Sequence, residues 1–192
     1  MRLVFRFILA ALLLCSLTAG AEERVTVCFN YGCFSQDVVI YDDGQLRELA
    51  SLLAGAQDAV QEREAISVAI GRMLAWAGQQ TPISADRGGN YADDAVHGKM
   101  DCIDHSTTTT RLLMLMEKQG WLRYHRVVDR ALRNRFFVFE HYSAQIEETA
   151  PMEAGVEPRR YVVDSWFFDN GQPAVVMPLV TWQAGETPYV GE

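Results

Sequence analysis

The spacing of apolar residues changes once along this chain, near Trp121, and this change constrains the fold more than any other feature. Before it, two short strand-like runs at 24–29 and 38–41 precede apolar residues at helical spacing over 46–53 and 59–77. After it, the period falls to about two, which predicts strands. These strands cover residues 124–129, 136–146 and 160–168. The order predicts an α+β domain in which N-terminal helices pack on a mainly antiparallel sheet.

The first residues have the pattern of an export signal. Arg2 and Arg6 precede an apolar run at 7–17, and the small residues Ala19, Gly20 and Ala21 follow it. We therefore expect residues 1–21 to be a signal peptide and residues 22–192 to form a single domain that is periplasmic or secreted. The apolar run is too short to cross a bilayer stably, so we predict no membrane span in the mature chain.

The charge of the chain excludes one class of partner. After the expected cleavage, 15 basic residues face 25 acidic ones, which gives a formal charge of −10. Such a chain repels polyanions, so we predict no binding to nucleic acid or to anionic lipid surfaces. A local basic cluster interrupts this composition, and we interpret it as a solvated face rather than a binding patch. Its members are Arg123, Arg126, Arg130, Arg133 and Arg135.

Three cysteines follow the expected cleavage point. Cys28 and Cys33 flank Asn30 and Gly32, which favour a turn, so we predict a local disulfide between the two cysteines. That pairing leaves Cys102 as an odd thiol in an exported protein. Two interpretations remain open at this point, a reactive thiol and a small apolar residue of the core.

Cys102 lies where a helix is expected to begin, after a long polar loop at 78–100. Asp101 suits the N-cap position and Asp104 the third helical position, which is an acidic variant of the capping box. The helix dipole favours a thiolate at Cys102, whereas the two carboxylates disfavour one. A thiolate in this position therefore needs a cationic partner, for which histidine is the usual residue.

Four histidines can be compared as that partner. His105 lies one turn after Cys102 on the same helix, so its ring is expected along the helix flank. His97 and His125 are predicted at the surface. His141 lies in a strand that is apolar on both faces, which indicates a central position. It is either a hydrogen-bonded core histidine or the catalytic one.

Asp164 favours the catalytic interpretation of His141. Strand alternation places Asp164 on one face with Val162 and Trp166, so its carboxylate is predicted to be buried. A buried carboxylate needs a partner, and the imidazole of His141 on a neighbouring strand would supply one. The alternatives are backbone amides at a bulge or an arginine. Asp169 is better explained as a turn residue.

Three segments together resemble a known family. DCIDHSTTTTRLL at 101–113, EHYSAQI at 140–146 and RYVVDSWFFDNG at 160–171 are similar to the cysteine, histidine and aspartate segments of bacterial transglutaminase-like cysteine proteinases. These belong to the transglutaminase-like branch of papain-like enzymes. The motifs YGC, DCID and VDSWFFDNG also resemble an uncharacterised group of proteobacterial exported proteins. The transglutaminase-like similarity covers roughly residues 88–172, and the first helices and the cysteine turn lie outside it.

The resemblance implies a transglutaminase/papain-like core and a triad of Cys102, His141 and Asp164. The function expected is an exported cysteine hydrolase, a peptidase or amidase, that forms a thioester with a protein or peptide substrate, including substrates of the cell envelope. The oxyanion would be held by the Cys102 amide and a second donor, for which Asn90 and Tyr91 are candidates. Alternatives are an acyltransferase with an amine acceptor and a non-catalytic module that binds an envelope protein.

The family resemblance suggests one cofactor to consider, which is calcium. Some relatives hold it with acids on both sides of the cysteine, but here Ile103 follows the cysteine directly. Asp101 and Asp104 remain, and Asp93 and Asp94 precede them in the loop. Because calcium takes roughly six to eight oxygen ligands, these residues do not complete a site. We therefore expect no metal and no other cofactor.

Overall fold

The computed structural model describes residues 22–89, 96–135, 139–149 and 157–188, with only the backbone described for Arg135 and Phe139. Several predictions made from the sequence lie outside these ranges. They concern the signal peptide, the oxyanion candidates Asn90 and Tyr91, and the acids Asp93 and Asp94. The cleavage point and the single-domain organisation therefore stay predictions.

The fold is α+β, as the hydrophobic spacing predicted. Two sheets alternate with the helices along the chain. The strands are β1 (Glu23–Phe29), β2 (Ser35–Tyr41), β3 (His125–Arg135), β4 (Phe139–Glu148), β5 (Arg160–Asp164) and β6 (Val175–Pro178). The helices are α1 (Asp43–Ala54), α2 (Ala59–Gln80), α3 (Cys102–Lys118) and the short α4 (Leu179–Gln183), with a 3₁₀ turn at Pro82–Ala85.

Both sheets are antiparallel. The first is the β1–β2 hairpin, and the second has the order β3-β4-β5-β6. Helix α3 contacts β1, β3, β4 and β5, so it lies between the hairpin and the larger sheet. The core between these layers is made of aliphatic side chains from the helices and from alternate strand positions. Its fully buried members include Leu49, Ile66, Met73, Leu112, Leu113, Met116 and Ile146.

Side-chain caps set the start of each long helix. Asp42 and Asp101 each form a capping box with the third helical residue, and Asp58 caps α2 by accepting from the amide of Gln61. The caps at Asp42 and Asp58 explain why α1 and α2 begin close to where the apolar spacing predicted. Among the described residues, no helix is both long and apolar enough for a membrane crossing.

The threonine run at 107–110 ties α3 to both sheets. Thr108 and Thr109 are fully buried and pack as small residues between the two sheets. In addition, the Thr108 hydroxyl accepts a hydrogen bond from the Cys28 amide at 2.9 Å, and the Thr109 hydroxyl lies 2.9 Å from that of Ser165. These contacts fix the register of α3 between the hairpin and β5.

His125 was predicted at the surface, and this prediction is wrong, because the structure buries the residue to 2% exposure. Its Nδ1 lies 2.9 Å from Glu62 of α2, whose carboxylate also accepts from the amides of Arg123 and Tyr124 at 2.7 and 3.0 Å. Burial alone would raise the pKa of Glu62, but these hydrogen bonds outweigh it and hold the pKa below its usual range. The cluster anchors the start of β3 to α2.

Replacing Glu62 with alanine should therefore destabilise the fold. We expect the free energy of unfolding to fall by about 3–5 kcal/mol, because a buried histidine and two part-buried backbone amides lose their shared acceptor. Glu64→Ala, an exposed acid of the same helix, is the matched control and should change stability by less than about 0.5 kcal/mol. Urea unfolding measures both variants, and equal losses would contradict the anchoring role.

Candidate active site

The head of α3 presents a free thiol. Cys102 is the first residue of the helix and is partly exposed. Asp101 accepts a hydrogen bond from the Asp104 amide at 2.8 Å, and Asp104 accepts one from the Asp101 amide at 3.2 Å. The predicted capping box is thereby confirmed. By its position at the start of the helix, the Cys102 amide has no intrahelical acceptor.

The predicted disulfide between Cys28 and Cys33 is also confirmed. It closes the turn between β1 and β2, in which Asn30, Tyr31, Gly32 and Cys33 all have φ between 60° and 63°. This left-handed conformation costs about 1–3 kcal/mol at each residue other than glycine. Such a run of four persists only where surrounding contacts enforce it.

Those contacts come from the acids that flank Cys102. The amides of Tyr31 and Cys33 donate to the two oxygens of Asp104 at 2.8 and 2.6 Å, and the amide of Gly32 donates to Asp101 at 2.8 Å. Successive amides in this conformation form an anion-binding concavity. Here the concavity is filled by the protein's own carboxylates, and we call this contact the amide clasp.

The amide clasp surrounds a carboxylate that is not accessible to solvent. Asp104 is fully buried, and burial together with the charge of Asp101 raises its pKa from 3.8 to about 6, although the amides of Asp101, Cys33 and Tyr31 oppose the rise. The three donors of the turn, together with the Asp101 amide, therefore help two acids to lie beside the thiol.

His141 and Asp164 lie together on the larger sheet. The β4–β5 register pairs Gln145 with Val162, so His141 and Asp164 belong to the same face, as strand alternation predicted. His141 Nε2 lies 2.8 Å from Asp164 Oδ2. The Cys102 side chain also acts on this imidazole and helps to raise its pKa, and Nδ1 is the ring nitrogen that Asp164 does not engage. The sulfur also lies 3.9 Å from the carbonyl oxygen of Glu140.

The charge of His141 is set by its two partners. Burial lowers the pKa of the imidazole, but the hydrogen bonds and negative charges of Asp164 and Cys102 outweigh burial and raise it from 6.5 to about 9. The ring is therefore an imidazolium at neutral pH. Because the folded value is the higher one, this pairing stabilises the fold fully below pH 6.5 and loses that contribution as the pH rises through about 9.

Aromatic side chains surround His141 and Asp164, and one of them donates a hydrogen bond to the carboxylate. Asp164 is buried, and besides the imidazole it accepts from the Trp182 indole at 2.9 Å and from the Trp166 amide at 3.2 Å. The His141 ring packs against Trp166, Phe167 and Trp182, with centroids 4.9, 5.9 and 5.6 Å away. Trp182 was not predicted as a site residue, since a tryptophan in a short apolar segment near the C-terminus carries no signal for this hydrogen bond.

A second polar chain lies behind the site. His105, whose ring was predicted along the helix flank, is buried, with Nε2 3.0 Å from Asp86 and Nδ1 2.9 Å from the hydroxyl of Ser165. Asp86 also accepts from the Met100 amide at 2.9 Å. These hydrogen bonds connect the loop after α2, helix α3 and the end of β5, and all the side chains that make them are buried. It fixes the residue that follows Asp164.

The loop before α3 also contacts the site. The Gly89 amide donates to the Trp166 carbonyl at 2.9 Å. Gly88 is required here, because a Cβ at this position would clash with the backbone of Phe168.

His97 is exposed, as predicted, and its Nδ1 lies 3.3 Å from the Asn30 side chain. The candidate oxyanion residues Asn90 and Tyr91 lie outside the described part of the chain.

The donor set beside Cys102 does not fit calcium. Among the described residues, the acid and sulfur atoms that converge belong to Asp104, Cys28 and Cys33. The two sulfurs form the disulfide, and the oxygens of Asp104 accept from amides of the turn. Calcium takes roughly six to eight oxygen ligands, which this set does not offer.

Comparisons with known proteins do not add a family to this geometry. No protein-family model, curated protein or solved structure matches this chain. The resemblance to transglutaminase-like enzymes stays a prediction that rests on the motifs around Cys102, His141 and Asp164.

The charge of His141 can be measured directly. In an NMR titration, the His141 imidazole should have a midpoint near its pKa of about 9. Asp164→Asn should lower that midpoint most, and Cys102→Ala should lower it less, because the Asp164 hydrogen bond is the stronger support. Asp37→Asn, an exposed acid of β2, should leave it unchanged. A wild-type midpoint near 6.5 would contradict the pairing.

Proposed function

We propose that the protein is a cysteine hydrolase of the peptidase or amidase type, with a transglutaminase-like triad of Cys102, His141 and Asp164. The observation that carries the proposal is the position of His141, whose Nε2 lies 2.8 Å from the Asp164 carboxylate and whose pKa is raised by both Asp164 and Cys102. A nucleophile, a base and an orienting carboxylate in this order are the arrangement that acyl transfer to sulfur requires.

The reaction follows from these contacts. The Cys102 thiolate attacks the acyl carbon of an amide, and the oxyanion that forms accepts from the Cys102 amide. The His141 imidazolium then gives its proton to the departing amine, which leaves a thioester on the sulfur. A water molecule loses a proton to the neutral imidazole and attacks the thioester, which releases the acid and regenerates the Cys102 thiolate beside the His141 imidazolium.

Asp164 and Trp182 act on the histidine rather than on the substrate. Asp164 engages Nε2, which leaves Nδ1 to act on the sulfur, and the negative charge of Asp164 supports the imidazolium. Trp182 donates to the same carboxylate oxygen and packs against the ring. Both are therefore positioning residues.

The amide clasp supports the same function from the other side of the thiol. Two carboxylates next to a nucleophile would disfavour its ionised form. The amides of Tyr31, Gly32 and Cys33 donate to these carboxylates and offset part of their charge. This feature explains how the acids of the capping box are compatible with a thiolate.

The disulfide also supports the proposed location. Disulfides persist in oxidising compartments, and the turn that Cys28 and Cys33 close directly contacts the nucleophile helix. We therefore propose a periplasmic or secreted enzyme. Its substrate is a protein or peptide, as the family resemblance implies.

Mass-mapped alkylation tests the proposal. In wild type, iodoacetamide should modify Cys102 at mildly acidic pH as well as at neutral pH, because the imidazolium of His141 stabilises a thiolate. His141→Ala should lose the reaction at acidic pH and keep it at alkaline pH. Asp164→Asn should affect alkylation less than turnover, since Asp164 acts through the histidine.

His97→Ala is the matched control for these variants, because this exposed histidine faces Asn30 and has no part in the proposed triad. It should react like wild type. Identical profiles for wild type and His141→Ala would remove the catalytic proposal and favour a non-catalytic binding module of the same fold.

A further inference from the structure

The flank of α3 next to Cys102 faces the β3–β4 hairpin, and an arginine crosses between them. Arg130 Nη1 donates to the hydroxyls of Ser106 and Thr107 at 3.2 and 2.8 Å. Ser106 lies four residues after Cys102 on the same helix, about 6 Å along its axis. The guanidinium is therefore within roughly 10 Å of the thiol.

A bulge in β3 sets the direction of this side chain. The β3–β4 register shifts between Val128 and Ala131, so Asp129 and Arg130 leave the regular ladder. Bulges commonly re-aim a side chain in this way. The Arg130 guanidinium is also held over the Tyr142 ring, 5.5 Å from its centroid. It is thus fixed from the helix side and from the strand side.

The fixed guanidinium keeps unused donors. Only Nη1 is engaged by the described residues, and no carboxylate among them lies within ion-pair distance of Arg130. Glu140, two residues before Tyr142, offers its carboxylate to the Tyr142 hydroxyl at 3.4 Å. By contrast, Arg126 of the same strand is paired with the buried Glu147. Part of the basic cluster predicted to be a solvated face is therefore arranged beside the thiol.

We propose that Arg130 forms a subsite for a carboxylate of the acyl donor. A planar guanidinium with free Nε and Nη2 donors matches a carboxylate bidentately. An extended peptide spans about 3.3 Å per residue, so a carboxylate bound here lies roughly two or three residues from the acyl carbon that meets Cys102. The substrate class is a peptide with an acidic side chain or a free carboxyl terminus at that distance.

The subsite rests on the proposed function and specifies its substrate class. It can be tested by alkylation of Cys102, without measuring the turnover of a substrate. The probe is the ratio of Cys102 alkylation by iodoacetate to alkylation by iodoacetamide, measured by peptide mass mapping at low ionic strength. Arg130→Gln should lower this ratio by about two- to fivefold, because one positive charge near the sulfur is lost. Arg130→Lys should retain most of it.

Arg47→Gln is the matched control, because Arg47 is an exposed arginine of α1 that pairs with Asp43. It should leave the ratio unchanged. An unchanged ratio in Arg130→Gln overturns the subsite. A parallel loss with both reagents also overturns it, since that result means a change in the thiol itself.

Protection of Cys102 from iodoacetamide identifies the source of the carboxylate. Two peptides with blocked amino termini are compared. The first has an internal glutamate and an amidated carboxyl terminus, and the second has glutamine in place of the glutamate and a free carboxyl terminus. We expect at least one to protect wild type and to protect Arg130→Gln less, and the protecting peptide identifies the source. Protection by neither contradicts the subsite. Failure of the proposed function is seen separately, in identical alkylation profiles of wild type and His141→Ala.

Discussion

The pairing of two carboxylates at the head of α3, one of them fully buried, is the constraint on which the site depends. Asp104 is fully buried beside Asp101, and neither has an arginine or lysine partner among the described residues. Their charge is offset by three amides of a left-handed turn. The same hydrogen bonds offset the conformational cost of the turn, and the disulfide between Cys28 and Cys33 closes the turn. The amide clasp thus fixes where the helix begins and where Cys102 lies.

The rest of the site is assembled from segments that are far apart in sequence, and buried polar contacts hold them in place. His105 connects α3 to Asp86 and to Ser165, so the helix that carries the thiol is tied to the residue after Asp164. Trp182 then reaches Asp164 from α4. Because each link is buried and hydrogen-bonded, loss of one partner leaves another unsatisfied. The imidazole of His141 is therefore held between two groups whose relative position is set by contacts that do not involve His141.

The parts that sequence analysis could predict are those with a local cause. Helix starts follow from Asp42, Asp58 and Asp101, and the buried carboxylate at 164 follows from strand alternation. The left-handed conformation at Tyr31 and Cys33 has no such cause, since neither residue type favours it and its support comes from acids about 70 residues away. His125 was misassigned for the same reason, because its partner Glu62 lies on helix α2, 63 residues earlier in the chain.

Formation of a thioester on Cys102 tests the central claim most directly. Purified protein is treated with p-nitrophenyl acetate, an activated ester, and the modified peptide is mapped by mass spectrometry while release of nitrophenolate is followed. The account predicts an acetyl group on Cys102 that forms at least about a hundredfold more slowly in His141→Ala. Acetylation confined to other nucleophiles, or equal rates on Cys102 in wild type and His141→Ala, would contradict it.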